Sequence, residues 1–149
     1  MMTSSFKVIE PKSIEEFEIY FHLRWKVLRE PWGQPKGSER DESDLTAIHR
    51  MVMNKEGQAV GVGMLCLSSN QEAQIRFMGI SKNYRGMKVG TLLIDCLESI
   101  ARELKYTCII LQSRETAVNF YKKNGFKLVK KTYLLFGEIQ HFLMQKFFI

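Results

Sequence analysis

Cysteine, proline and histidine are all scarce, three of each in 149 residues. Cys66, Cys96 and Cys108 form no Cys-x-x-Cys pair and sit among aliphatic neighbours, which excludes a disulfide framework and points to inert core thiols. A reducing, cytoplasmic compartment is the matching expectation. No set of His, Cys, Asp or Glu has ligand spacing, so no metal is expected. No apolar run approaches the ~18 residues of a membrane span; the longest, near Ala59–Leu67, has the length of a buried strand. The opening residues 1–7 contain no apolar stretch, so a leader peptide is not expected either. Hydrophobic residues at 45% and charged residues at 26% exclude disorder and collagen-like repeats as readings of the whole chain.

What remains is a chain of about one domain, residues 1–149, long enough to bury a core without staples. Its charge is one-sided: 22 basic against 16 acidic residues, net +6, with a pI near 9.3. That excess favours a polyanionic partner, whether nucleic acid, an anionic surface or a phosphorylated small molecule.

Residues 6–9 alternate as a short strand that Pro11 ends. Ser13 stands as the N-cap of a helix reaching to about Leu28, with Glu15 and Glu16 in the first turn and Phe17, Tyr20, Phe21 and Arg24 at helical spacing. Two prolines and two glycines in residues 31–37 break it, and the acidic stretch 38–44 extends a long loop. Strands follow at residues 47–53, 59–67 and 73–80, joined by turns at 54–57 and 68–71. The period then changes. Val89, Leu92, Leu93, Cys96, Leu97, Ile100, Ala101 and Leu104 form one apolar helical stripe. Residues 107–112 read as a strand, 115–123 as a helix stopped at Asn124-Gly125, and 126–136 with 139–148 as a hairpin across Gly137. The order implies a mixed α/β sheet with one parallel crossover.

The junction from Ile80 to Leu93 carries the chemistry. A strand turns into the N-terminus of the best helix, where unpaired N–H groups and the helix dipole make a phosphate cradle. Gly86 and Gly90 admit an anion close to the backbone, and Lys82, Arg85 and Lys88 have the wrong sign for helix stability unless an anion binds. A solvated basic turn accounts for the same residues. At this point the chain resembles the GCN5-related N-acetyltransferases, the GNAT superfamily. Arg85-x-x-Lys88-x-Gly90 is similar to the superfamily's pyrophosphate loop, Q/R-x-x-G-x-G/A, and residues 119–126 (Asn-Phe-Tyr-Lys-Lys-Asn-Gly-Phe) resemble its second motif. Lys88 departs from the pattern, standing where the first motif glycine is usual; in a helix's first turn a lysine is expected to be sterically acceptable.

The resemblance implies a predominantly antiparallel sheet whose one parallel strand pair splays apart to admit the pantetheine of acetyl-CoA. It implies that the backbone of Met78 and Ile80 pairs with that arm, and that an N–H near Met78 or Gly79 holds the thioester oxygen. The amides of Arg85, Gly86, Met87, Lys88, Val89, Gly90 and Thr91 would bind the pyrophosphate, and Asn119 would contact the CoA arm. Tyr121 would protonate the leaving thiolate; read without the resemblance, it is an amphipathic packing residue. The implied reaction is acetyl transfer from acetyl-CoA to an unidentified primary amine by direct attack.

The acceptor side names only candidates for a base: His49, Arg76, Glu138, His141 and the acids of residues 39–44. His141 alternates with Ile139 and Leu143, which suits a half-buried structural histidine. Arg76 is expected on the strand face of Met78 and Ile80, either orienting an acidic acceptor or pairing with Glu72 or Glu103. Trp25 and Trp32 form either a substrate wall or packing against the sheet. Two rival readings stand: a GNAT-like protein that binds CoA without turnover, and a nucleic-acid module built on Lys122, Lys123, Lys127, Lys130 and Lys131. The apolar end Phe147-Phe148-Ile149 leaves a homodimer open.

Overall fold

A computed structural model describes residues 5–148. The leader expectation over residues 1–4 and the pairing role of Ile149 lie outside the described residues. Ser13 caps α1 (Ile14–Leu28) through a reciprocal pair: its Oγ accepts from the Glu16 N–H, and Glu16 accepts from the Ser13 N–H. Strands β1 (Lys7–Ile9), β2 (Ile48–Met53), β3 (Ala59–Leu67) and β4 (Glu72–Ile80) pair antiparallel in sequence order. Helix α2 (Val89–Glu103) then crosses to β5 (Cys108–Arg114), which lies parallel to β4. After α3 (Val118–Lys123), β6 (Lys127–Leu135) and β7 (Ile139–Phe147) complete a seven-stranded sheet in the order β1-β2-β3-β4-β5-β7-β6.

The predicted stripe of α2 packs on the sheet. Val89, Leu93, Leu97 and Ala101 of that stripe, together with Ile94 beside it, are fully buried against Val60, Ile75, Ile109 and Leu111, each large side chain contributing about 1.5–3 kcal/mol. Leu104 is the exception: it caps the helix and is exposed. Helix α1 covers the opposite face, burying Tyr20 and Leu23 against Met51 and Val62.

Two irregularities open the sheet between these layers. The parallel pairing of β4 with β5 ends at Ile75–Leu111, so the strands part beyond it. On its other edge, the β3–β4 register steps from Met64–Arg76 to Val62–Gly79, which inserts one extra residue in β4. Phe77 takes φ +49 there. The bulge corrects the expected alternation. Arg76 and Phe77 both face α1, where Phe77 meets the Arg24 guanidinium, whereas Met78 and Ile80 face the α2 core. Arg76 therefore shares no face with Met78 and Ile80. Its partners are Asp41 at 3.0 Å and Ser43 Oγ at 2.7 Å, in place of Glu72 or Glu103.

Candidate active site

The parted ends of β4 and β5 frame a cleft of about 1140 Å³. Its floor is β4 from Gln74 to Ile80, and one end is the turn before α2. In that turn Gly86 takes φ +80 and Lys88 φ +66, ψ 15, the left-handed region. Lys88 is thus the N-cap of α2 and lies outside its first turn, so the expected ease of a lysine here gives way to backbone strain. No side chain caps this helix and no acid stands in its first turn. Val89, Gly90 and Thr91, the first turn of α2, border a cleft whose cations at this end are Arg85 and Lys88, an arrangement suited to phosphate. A Cβ on Gly90 would lie 2.7 Å from Phe120 Cζ, so only glycine lets α2 and α3 approach this closely.

Tyr121 enters from α3, edge-on to Phe120 and Phe126. It borders the cleft yet is only 9% exposed, and burial pushes its phenol up to about 12. All the anticipated residues border the cleft except Met87 and Asn119, which are exposed outside it. Helix α3 turns Phe120 and Tyr121 inward and leaves Asn119 on the solvent side.

The rest of the cleft is lined by Arg114 at the end of β5, Phe77, Gln112 and Tyr133, to which sequence reasoning gives no role in the site, and by Arg29 just past α1, from the segment 23–29 that the resemblance puts at the acceptor side. A signal for Arg114 did exist. Gln112 and Arg114 continue the alternation of β5 past the expected strand end, on the face that opens to the cleft. His141 lies here too, stacked on Tyr133 at 4.5 Å between ring centroids. Its Nδ1 donates to the Ile139 carbonyl at 2.9 Å, which leaves Nε2 as the ring's lone-pair nitrogen. Burial first, then Arg114 and Arg29, lower its pKa, so the ring is neutral at pH 7.

The other base candidates are engaged or remote. His49 lies under α1, its Nε2 donating to the Asp44 carbonyl and its Nδ1 bonded to Tyr20 Oη, both at 2.8 Å. Asp44 pairs with Arg24 at 2.8 Å, Asp41 with Arg76, and Glu39 with Arg40. Glu138 is exposed and does not border the cleft. Neither tryptophan borders it: Trp25 donates to the Gln34 carbonyl, and Trp32 packs beside Arg114.

This architecture defines a class. The profile of the Acetyltransferase (GNAT) family matches residues 17–126. The chain is 26% identical over 140 residues to the uncharacterized N-acetyltransferase YjcF of Bacillus subtilis (strain 168), covering 94% of this chain and 99% of that one. In structure it is similar to a protein described as an N-acetyltransferase from Lactobacillus plantarum (TM-score 0.85, 20% identity, 98% and 100% of the chains covered). It is also similar to a protein described as a streptothricin acetyltransferase from Bacillus anthracis, solved in complex with acetyl coenzyme A (TM-score 0.62, 24% identity, 69% and 63% covered). The chain belongs to the acetyltransferase (GNAT) family.

Proposed function

We propose that this chain moves an acetyl group from acetyl-CoA to a primary amine by direct attack of the amine nitrogen on the thioester carbon. The observation that carries the reading is the cleft between β4 and β5, running from an uncapped helix N-terminus rich in cations to a pocket holding a neutral histidine. Acetyl-CoA supplies the activated acyl carbon. The amides of Arg85, Gly86, Lys88, Val89, Gly90 and Thr91 hold its pyrophosphate, and the freed backbone of Met78, Gly79 and Ile80 pairs with the pantetheine and faces the carbonyl oxygen.

An amine with a pKa of ~10.4 arrives protonated and must lose a proton before it attacks. His141 Nε2 receives that proton, the ring being neutral and, among the described residues, without a partner at this nitrogen. As nitrogen bonds to the acyl carbon, the C–S bond breaks and its electron pair leaves on sulfur. Tyr121 donates its phenolic proton towards that sulfur. Burial keeps the phenol protonated, while the nearby Arg114 charge opposes the upward shift and eases the donation. The phenol recovers its proton through the acceptor's surplus one.

Calorimetric titration of the protein with acetyl-CoA and with dephospho-CoA, followed by an amine panel, tests the reading. Saturable one-site binding is expected, with Tyr121→Phe slowing transfer by about 10²–10⁴-fold while leaving acetyl-CoA affinity in place. Absence of heat and of any thermal shift at millimolar acetyl-CoA overturns it.

A further inference from the structure

Among the described residues six cationic side chains border the cleft, Arg29, Arg40, Arg76, Arg85, Lys88 and Arg114, against one carboxylate, Asp41. Four of them are accounted for. Arg85 and Lys88 stand at the phosphate-binding end, Arg76 is neutralised by Asp41, and Arg40 by Glu39. Arg29 and Arg114 are different. Both donate to the same carbonyl, Leu28 O, Arg29 through Nη1 at 3.1 Å and Arg114 through Nη2 at 3.2 Å. Two guanidinium groups thus converge on one neutral acceptor, Arg29 also donates through Nε to the Ser38 carbonyl at 3.1 Å, and among the described residues neither forms an ion pair. Arg29 Nη2 and Arg114 Nε and Nη1 have no hydrogen-bond partner there.

Such a pair is costly to hold: both groups are partly desolvated, and each carries repulsion from neighbouring arginines that lowers its pKa. An anion between them would reverse that penalty and accept from the free donors Arg29 Nη2 and Arg114 Nε and Nη1. The position specifies whose anion it is. Arg114 faces His141 across the β5–β7 register, and both arginines act on the His141 ring. A group seated on them lies in the part of the cleft that His141 also lines.

We propose that the acceptor is an amine that also bears a carboxylate or a phosphate, held by Arg29 and Arg114 so that its amino group reaches His141. The inference rests on the acetyl-transfer reading and narrows it, since a polycationic acceptor would meet two unneutralised arginines.

The test uses matched amines at equal concentrations of free base: amino acids against their C-terminal amides, and phosphoethanolamine against ethanolamine, with CoA release as the rate. The anionic member should be favoured in kcat/KM by about tenfold or more; which pair shows the effect separates carboxylate from phosphate. Arg29→Gln and Arg114→Gln should each pull that ratio towards one through KM, and Arg29→Lys should restore part of it. Melting curves of each variant establish that it is folded. Equal rates within both pairs, or arginine variants that weaken acetyl-CoA binding and leave the ratio intact, overturn the proposal. If acetyl-CoA itself fails to bind, the transfer reading falls. The anion site is then judged by titrating the same matched pairs into the protein with and without CoA, where equal affinity within pairs refutes it.

Discussion

Lys88 holds a backbone conformation that a Cβ opposes, at a cost of about 1–2 kcal/mol. Glycine there would remove the strain while adding about 0.5–1 kcal/mol of unfolded-state entropy to overcome. Lys88→Gly should therefore be neutral to stabilising by up to about 1 kcal/mol, a rise of roughly 2–4 °C in melting temperature. The same change removes a cation from the phosphate end, so acetyl-CoA should bind more weakly by a few-fold, in the range of about 0.5–1 kcal/mol. Opposite movement of the melting temperature and the calorimetric affinity checks both halves; a loss of stability would refute the strain argument. A second residue to test is Asp44. Arg24 is fully buried in α1, bonded to Tyr20 Oη, the Glu39 carbonyl and Asp44. Asp44→Ala would leave that guanidinium without its counter-charge, at about 3–5 kcal/mol, readable in urea unfolding. Arg24 was placed on the helical stripe by its spacing alone, but its partner was not legible: a buried arginine looks like any other at position i+4 until the loop folds over it.

At the scale of elements, the close approach of α2 and α3 yields a sharper prediction. Gly90→Ala would set a methyl group 2.7 Å from the Phe120 ring, which is rigid and cannot yield as a flexible chain end would. The helices must separate, at about 1–3 kcal/mol, and Phe120 and Tyr121 move with α3. Transfer should fall further than acetyl-CoA affinity, a split that steady-state kinetics beside calorimetry would detect. The elements themselves were largely legible, because α2 carries a strict 3.6-residue stripe and α1 a complete capping box. What escaped was the site's far wall. Strand periodicity assumes an unbroken pleat, and the bulge at Phe77 depends on pairing with β3, which residues 72–80 do not encode by themselves. Arg114 escaped for a related reason: the strand continues two residues beyond its expected end at 112, into the part of β5 that has lost β4 as a neighbour. Asn119 shows the converse, a motif residue that the short helix turns to solvent.

Across the whole molecule the basic surplus divides into two populations with different consequences. Lys127, Lys130 and Lys131 lie exposed on β6, the last strand of the sheet, where charge discourages edge-to-edge pairing; Arg29 and Arg114 in the cleft are partly desolvated and act on the His141 ring. The buried histidines link these charges to pH. His49, surrounded by Arg24, Asp44, Arg50 and Tyr20, is lowered chiefly by burial, as is His141 near Arg29, Arg114 and Tyr133. An unfolded histidine titrates near ~6.5. Below that value the unfolded chain binds protons that the folded chain refuses, so stability is complete above ~6.5 and declines as pH falls towards the lowered folded values. Glu16, Glu39 and Asp41 are also held below the usual carboxylate range, Glu16 by backbone N–H bonds and the other two by hydrogen bonds and arginines that outweigh burial. Their contribution is present above ~4.5 and is lost only at lower pH. Melting temperature should therefore fall in two stages, the first setting in as pH drops below about 6.5. His141→Gln should flatten part of that first stage and leave the second unchanged; a melting temperature independent of pH from 7.5 down to 5 would show that neither histidine is held neutral by the fold.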